Sequence, residues 1–452
     1  MKQTIATLLI LGSSMAGFGQ DKNFDLSKYK FPDYKRHELE LNFNSSGYSS
    51  RQNDQLLYVD LIGNSSEKSY SSSYTNFNLG YQYDFLSRTR IDYLSTNFSG
   101  SYNYYKNNNY GDVSKQYNPN INLNLSGFRR FYQNEDKFFY EGSTDMSYSF
   151  DESKTTNTNT NIAGTKNSQN DFNISIGVGV GTGRQEKVSD LWQAYYILEK
   201  LKDQKSLARE LTDNDVYEFA SFASKLKNKR FFDSRLQKIA ELQALDSLLI
   251  QQGLIKNGDI AYFTTLNDYW SYGSFPDRKS GNVLKFEISP KYSKSNNKYN
   301  GADSETSQKI SIVSTISYNS SKQLNLFWER DFNINLSNET LLRKSGKYYD
   351  CYHNDTFNSN INFGYSYFPN SRTSFSGHFG YSGYNEIVLG SPETYPSNWI
   401  NSLYFSLSAH YYLSPRLQIS GSYNLDYKDK MQYSTTNLLT TNYNLGLRYA
   451  IF

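Results

Sequence analysis

The feature that most constrains this chain is a two-residue alternation of apolar and polar side chains, sustained over unusually long runs. Phe172, Ile174, Ile176, Val178 and Val180 alternate with Asn173, Ser175, Gly177, Gly179 and Gly181. Successive side chains of a strand point to opposite faces, so this segment has one greasy face and one polar face. Residues 77–85, 121–125, 403–413 and 417–427 repeat the pattern. Strands of globular proteins average about five or six residues, whereas strands that cross a bilayer need about 9–11 and can extend beyond it. The polar face is built from Ser, Asn and Gly, which suits a water-filled lumen better than the inner layer of a sandwich. Hydrocarbon cannot hydrogen-bond an open sheet edge, so such a sheet must close. The expected fold is an all-β transmembrane antiparallel β-barrel.

Composition removes the alternatives. Only 37% of residues are hydrophobic, yet 17% are aromatic, with 42 Tyr and 29 Phe. Chains this rich in aromatics are not disordered. No apolar run of about 20 residues follows the N-terminus, so a bundle of membrane helices is excluded. Lys+Arg number 47 against 44 Asp+Glu, and there is no long basic run to imply nucleic acid. Cys351 is the single cysteine and has no intramolecular partner.

Connections set the topology. Residues 86–89, 133–136, 320–322, 369–371 and 414–416 read as tight turns. Residues 106–118, 151–169, 293–307, 386–398 and 428–437 read as long polar loops. Outer-membrane barrels place short turns in the periplasm and long loops outside. The alternation predicts about 14 strands (range 12–16), the first over 37–64 and the last over 439–452. That first strand joins two apolar stretches, Leu39 to Phe43 and Leu56 to Leu61. Arg330 breaks the pattern, because it falls on the face of Leu324, Leu326, Trp328, Phe332 and Ile334. A lipid-facing Arg at the bilayer midplane costs about 2–4 kcal/mol, so a bulge or an interfacial position is expected.

From residue 184 the period changes to that of a helix. Ser189 is expected to cap a helix carrying Leu191, Tyr195, Leu198 and Leu201, and Thr212 a second, with Asp215 three residues on. A third opens at Asp233 or Ser234 and stops at Gly253, and a fourth follows Gly258. By strand parity this insertion is periplasmic. The expected organisation is a signal peptide over 1–19, an N-terminal periplasmic segment over 20–36, barrel over 37–183, the helical insertion over 184–275, and barrel over 276–452. The signal rests on Lys2, the short apolar run Ile5 to Leu11 and small residues at Gly17 and Gly19. The insertion reads as a plug, a docking platform or a base for the barrel mouth. Lys225, Lys227, Lys229, Arg230 and Arg235 form a candidate basic docking surface, although aromatics such as Trp192 and Phe219 read as its own core.

Chemistry is sparse. The four His, at 37, 353, 378 and 410, have no metal-ligand spacing, and no cofactor is implied. His378 and His410 lie two residues from Ser376 and Ser408, which is weak support for a hydrolase. The predicted lumen carries ionisable groups, of which Glu141, Asp145, Lys285, Glu287, Glu329, Asp331 and Arg448 are candidates for setting ion preference.

At the C-terminus, Asn444, Gly446, Tyr449 and Ile451 precede a terminal Phe452. This resembles the C-terminal signal strand of outer-membrane proteins, and implies recognition by the barrel-assembly machinery. Together with the Tyr/Asn/Ser-rich strands, the chain is similar to porin-like outer-membrane barrels of the Bacteroidota type. The resemblance implies a cell outer-membrane location among lipid and lipopolysaccharide, and transfers no activity. The residues favour a non-enzymatic pore for passive passage of small polar solutes. The alternative is a closed or plugged barrel that docks a periplasmic or lipoprotein partner through its helices. Deleting Phe452, or making Tyr449→Ala, is expected to reduce the yield of heat-modifiable folded protein on gels; unchanged yield in both variants contradicts the signal reading.

Overall fold

The computed structural model describes residues 26–54, 66–109, 112–133, 137–158, 164–228, 234–255, 258–271, 278–300, 304–346, 353–370, 372–389, 398–414, 417–431 and 435–449. Six strands come first: β1 (Tyr34–Asp54), β2 (Ser66–Leu86), β3 (Arg90–Asn109), β4 (Asp112–Tyr132), β5 (Phe138–Asn157) and β6 (Thr165–Lys187). Four helices follow: α1 (Ser189–Asp203), α2 (Asp213–Asn228), α3 (Ser234–Gln251) and α4 (Ile260–Ser271). Eight strands complete the chain: β7 (Lys279–Tyr299), β8 (Glu305–Gln323), β9 (Trp328–Ser345), β10 (His353–Asn370), β11 (Thr373–Leu389), β12 (Asn398–Ser414), β13 (Leu417–Met431) and β14 (Thr435–Tyr449). They form one fourteen-stranded antiparallel sheet in strict sequence order, the meander of an outer-membrane barrel. Among the described residues no ladder joins β1 to β14.

The expected strand number holds, while the connections differ in an informative way. β3 and β4 pair as far as Asn109 and Asp112, and β5 and β6 as far as Thr155 and Thr165. Much of what reads as long polar loop is strand, carried beyond the apolar band where both faces meet water. The turn expected at 320–322 lies instead at 324–327, where the Asn325 Oδ1 accepts from the Phe327 and Trp328 amides at 2.8 Å. Leu326 is buried there against the helices, so a turn carries apolar residues and mimics a strand. Leu56 to Leu61, the signal peptide, Ile451 and Phe452 lie outside the described residues.

Apolar side chains on the outward face remain exposed, as at Ile176, Val178, Leu284 and Phe286. Arg330 is outward too, paired in unbroken register with Lys322 and Tyr365. No bulge rescues it. β9 begins at Trp328, so Arg330 sits beside the short-turn end, where a lipid-facing Arg costs about 0–1 kcal/mol.

The helical insertion is welded to the short-turn end. Beyond Gly183 (φ 89°) and Gly281 (φ 114°), the β6–β7 ribbon turns away from the wall. A Cβ at either glycine would meet a carbonyl of the opposite strand at 2.1 Å, so both the twist and the close approach need glycine. One apolar cluster then holds Leu191, Trp192, Ile197 and Phe219 of the helices together with Leu86, Leu326 and Phe368 of the sheet and Leu26, Tyr29 and Phe31 of the N-terminal segment. The β2–β3 and β8–β9 turns are six places apart in the fourteen-strand order. In a flat sheet about 4.8 Å per strand would part them by about 29 Å, and the helices link both turns into one cluster.

Two of the expected caps form. Thr212 Oγ1 accepts from the Asp215 amide at 3.3 Å, and the Asp215 carboxylate accepts from the Thr212 amide at 2.9 Å. Gly253 (φ 67°) ends α3 as expected, and a cap not foreseen, Asp259 Oδ1, accepts from the Tyr262 amide at the head of α4. Ser189 does not cap α1. Its hydroxyl accepts from the Arg278 amide at 2.8 Å and closes the ribbon.

Arg209 grips both Asp215 oxygens, at 2.7 and 2.8 Å. Those hydrogen bonds hold the Asp215 carboxyl down at about 2, below the usual carboxylate range. A depressed folded-state pKa stabilises at pH above the unfolded value of about 4 and fades as pH falls towards 2. The helical melting midpoint is therefore expected to drop between pH 4 and pH 2, less so in Asp215→Asn; equal slopes in far-UV circular dichroism remove this box from the insertion's stability.

Candidate functional site

The inward face of β4–β7 gathers four of the candidate charges and adds one. Glu141 on β5 is buried and accepts from Arg130 on β4 at 2.7 Å and from Lys285 on β7 at 2.7 Å. Lys285 also reaches Glu287 at 2.6 Å, and Ser143 and Ser289 donate to Glu287 at 2.8 and 2.9 Å. Asp145 lies two alternations beyond Glu141 and shares a lumen cavity with Glu287, Ser289 and Lys291.

This packing explains the glycines of β6. A Cβ on Gly177 would stand 2.5 Å from the Glu287 carboxylate, and one on Gly181 would stand 2.3 Å from the Phe139 ring. The glycines let neighbouring side chains lie flat against the wall. Phe139 in turn carries Arg130, whose guanidinium lies 4.0 Å from the ring centre. The chain thus lines the β4–β7 wall with acid and base, the Glu141 and Glu287 carboxylates each met by a cation or hydroxyl.

A second charged group closes the short-turn end. Arg278 is 0% exposed. It donates to the Glu329 carboxylate at 3.1 Å and to the Leu326 carbonyl at 2.7 Å, and also to Gln323 Oε1. The rings of Trp192 and Phe368 flank it at 5.2 and 4.7 Å. Burial presses its pKa below the ordinary value, and the Glu329 charge acts against that. On the other strand of the ribbon, Arg184 donates to the Arg88 and Ser87 carbonyls at 2.9 and 2.8 Å and pairs with Glu186. Arg88 bonds Glu186 at 2.6 Å and the Phe31 carbonyl at 2.9 Å. One ribbon therefore clamps the β8–β9 turn through Arg278 and the β2–β3 turn through Arg184.

The remaining candidates are scattered. Asp331 accepts from Ser321 at 2.6 Å beside the Arg278–Glu329 pair. Arg448 lies on β14 opposite Gln418, away from both groups. Asn444, Gly446 and Tyr449 are on the same strand, paired with Ser422, Ser420 and Leu417. Lys227 is part-buried and already paired: it bonds Asp190 at 2.5 Å and Gln193 Oε1, and stands over Trp270. Lys225 is exposed on α2, Arg235 is in the first turn of α3, and Lys229 and Arg230 lie outside the described residues. Ser376 bonds Ser366, and His410 faces Gln418, so neither Ser–His pair considered from sequence forms. Among the described residues no group of three His, Cys, Asp or Glu is placed to hold a metal ion.

No protein-family model matches the chain, and no curated protein matches it in sequence. Solved structures that the chain is similar to include the translocator domain of the autotransporter NalP from Neisseria meningitidis, at 8% identity and TM-score 0.28, covering 86% of this chain and 95% of that one. The toluene transporter TodX from Pseudomonas putida is similar at 9% identity and TM-score 0.28, over 92% and 90% of the two chains. The alcaligin outer-membrane receptor FauA from Bordetella pertussis is similar at 8% identity and TM-score 0.35, over 91% of this chain and 59% of that one. Likeness at this level transfers no activity.

Removing Glu141 strands Arg130 in the wall and leaves Lys285 with Glu287 alone. Breaking a buried charge pair costs about 3–5 kcal/mol, so Glu141→Ala is expected to lower the temperature at which the folded gel band disappears well below that of Asp145→Ala. Equal losses from the two variants would show that the Arg130–Glu141–Lys285 chain adds nothing.

Proposed function

We propose that this protein is an outer-membrane β-barrel pore for small polar solutes whose periplasmic mouth is covered by the helical insertion. Passage is then gated by the cap rather than free. One observation carries the reading: a single apolar cluster, bounded by Arg184 and Arg278, holds the helices against turns nearly half the strand order apart. The lumen wall behind it is polar and carries the Glu141, Asp145, Lys285 and Glu287 charges, which act on ions that pass. The short-turn end is the periplasmic one by the general habit of such barrels.

A second reading has its own support. Ile260 and Phe263 of α4 are 84% and 48% exposed, and Ile239 and Ile250 of α3 are also bare. Apolar side chains grouped on helices that face away from the sheet favour a docking platform for a periplasmic or lipoprotein partner.

Planar-bilayer recording separates the two. Trp192→Ala combined with Arg278→Gln removes the cap's buried anchor while leaving the strands' own pairing intact. The gated pore predicts low conductance for the native protein and a several-fold rise in the double variant. Equal conductance in the two proteins, whether high or nil, overturns gating; nil in both leaves the docking reading in place.

A further inference from the structure

The outward wall of β9–β13 carries a cavity that the pore does not use. Its volume is about 590 Å³. One side is a stack of three aromatic rings: Trp328 on Tyr367 at 4.5 Å and 28°, then Tyr367 on Phe375 at 6.4 Å and 19°. Its floor is Gly377, Ala409 and Gly421 on three successive strands. Ala409 pairs directly with Gly421 and with Phe375, which places Gly377 diagonally beside it. Small side chains next to tall rings make a trough slanting across the lipid-facing surface. The rings come from strand ends near the short turns, so the trough opens at the level of one membrane interface.

Beside it lie two cations that the wall itself does not explain. Lys322 and Arg330 are direct cross-strand partners on the same outward face, and Arg330 is also the partner of Tyr365, which lines the cavity. Like charges directly opposite each other destabilise a sheet. Among the described residues neither is in an ion pair. An anion between them would relieve the repulsion, and at a membrane interface the anion at hand is a lipid phosphate.

We infer that this trough and cation pair form a binding site for an anionic glycerophospholipid of the inner leaflet. The phosphate sits between Lys322 and Arg330, and an acyl chain lies along Gly377, Ala409 and Gly421 against the aromatic stack. The inference rests on the outer-membrane reading above, and adds a specific lipid to it. Acyl chains pack on any lipid-facing wall, so the distinguishing claim is joint recognition of charge and chain at one place.

Native mass spectrometry of the full-length protein in detergent tests it, with phosphatidylglycerol, diacylglycerol of the same chains, and inorganic phosphate as probes. Phosphatidylglycerol is expected to be retained as one bound molecule, at least about tenfold more tightly than diacylglycerol. Lys322→Gln with Arg330→Gln, and separately Ala409→Leu with Gly421→Leu, should each reduce that retention about tenfold. The heat-modifiable band reports that each variant is folded; a variant that fails it is replaced by the single substitution Arg330→Gln or Gly421→Ala. Equal retention of phosphatidylglycerol and diacylglycerol, or unchanged retention in the folded variants, means ordinary annular lipid and overturns the site. Displacement by inorganic phosphate alone overturns the acyl trough. Cell fractionation keeps the two claims apart: a protein absent from the outer membrane defeats the pore reading, whereas one present there without selective retention defeats only the lipid site.

Discussion

Everything in this fold follows from the obligation to pair every backbone amide and carbonyl inside hydrocarbon. Side chains cannot meet that demand, so strands must pair side by side along their full crossing length. The chain answers with strands of 15 to 23 residues, joined in order with no crossover. Once the ladder is fixed, alternation decides the rest. One face is left to lipid and must be apolar, and the other is left to water and can carry charge. The Glu141 network and the outward Ile176–Val178–Val180 face are two readings of the same pleat.

The helical insertion meets a different demand. Here the β6–β7 ribbon passes two left-handed glycines, Gly183 and Gly281, beside the short turns. Charge does the positioning. Arg184 and Arg278 bond backbone carbonyls of the β2–β3 and β8–β9 turns, carbonyls that the turns leave free to accept. Each guanidinium is also met by a carboxylate, Glu186 or Glu329, so neither is buried unpaired. Apolar contact fills the space between them, with Trp192 against Phe368 at 5.5 Å.

Much of this was legible in sequence, for local reasons. Period-two runs give strands without any knowledge of partners, and the Thr212–Asp215 spacing gives a helix start from four residues. Interactions that cross the sheet were not legible. Nothing in the period marks Arg130, Arg184 or Arg278, and Arg184 meets its carbonyls 96 and 97 positions away in the chain. Leu324 and Leu326 imitated a strand because a turn that packs under a cap needs apolar residues for a reason the period cannot encode. Lys227 looked like surface charge because its partners Asp190 and Gln193 sit on a neighbouring helix. The glycines of β6 were visible as small residues, but the Glu287 and Phe139 side chains lying over them were not.

The docking of the N-terminal segment bears on how such a sheet can be brought full circle. Tyr29 bonds Ser224 of α2 at 3.0 Å, and Phe31 bonds Glu186 at 3.3 Å, only a few residues before β1 begins at Tyr34. The first strand is thus moored to the middle of the chain. Bringing the two outermost strands of a long meander together is a search whose entropic cost grows with the logarithm of the contour between them. A mooring at residue 186 shortens that contour wherever it forms before the outermost strands meet. The buried side chains that hold the helices to the short-turn end are thus the same ones that moor the first strand.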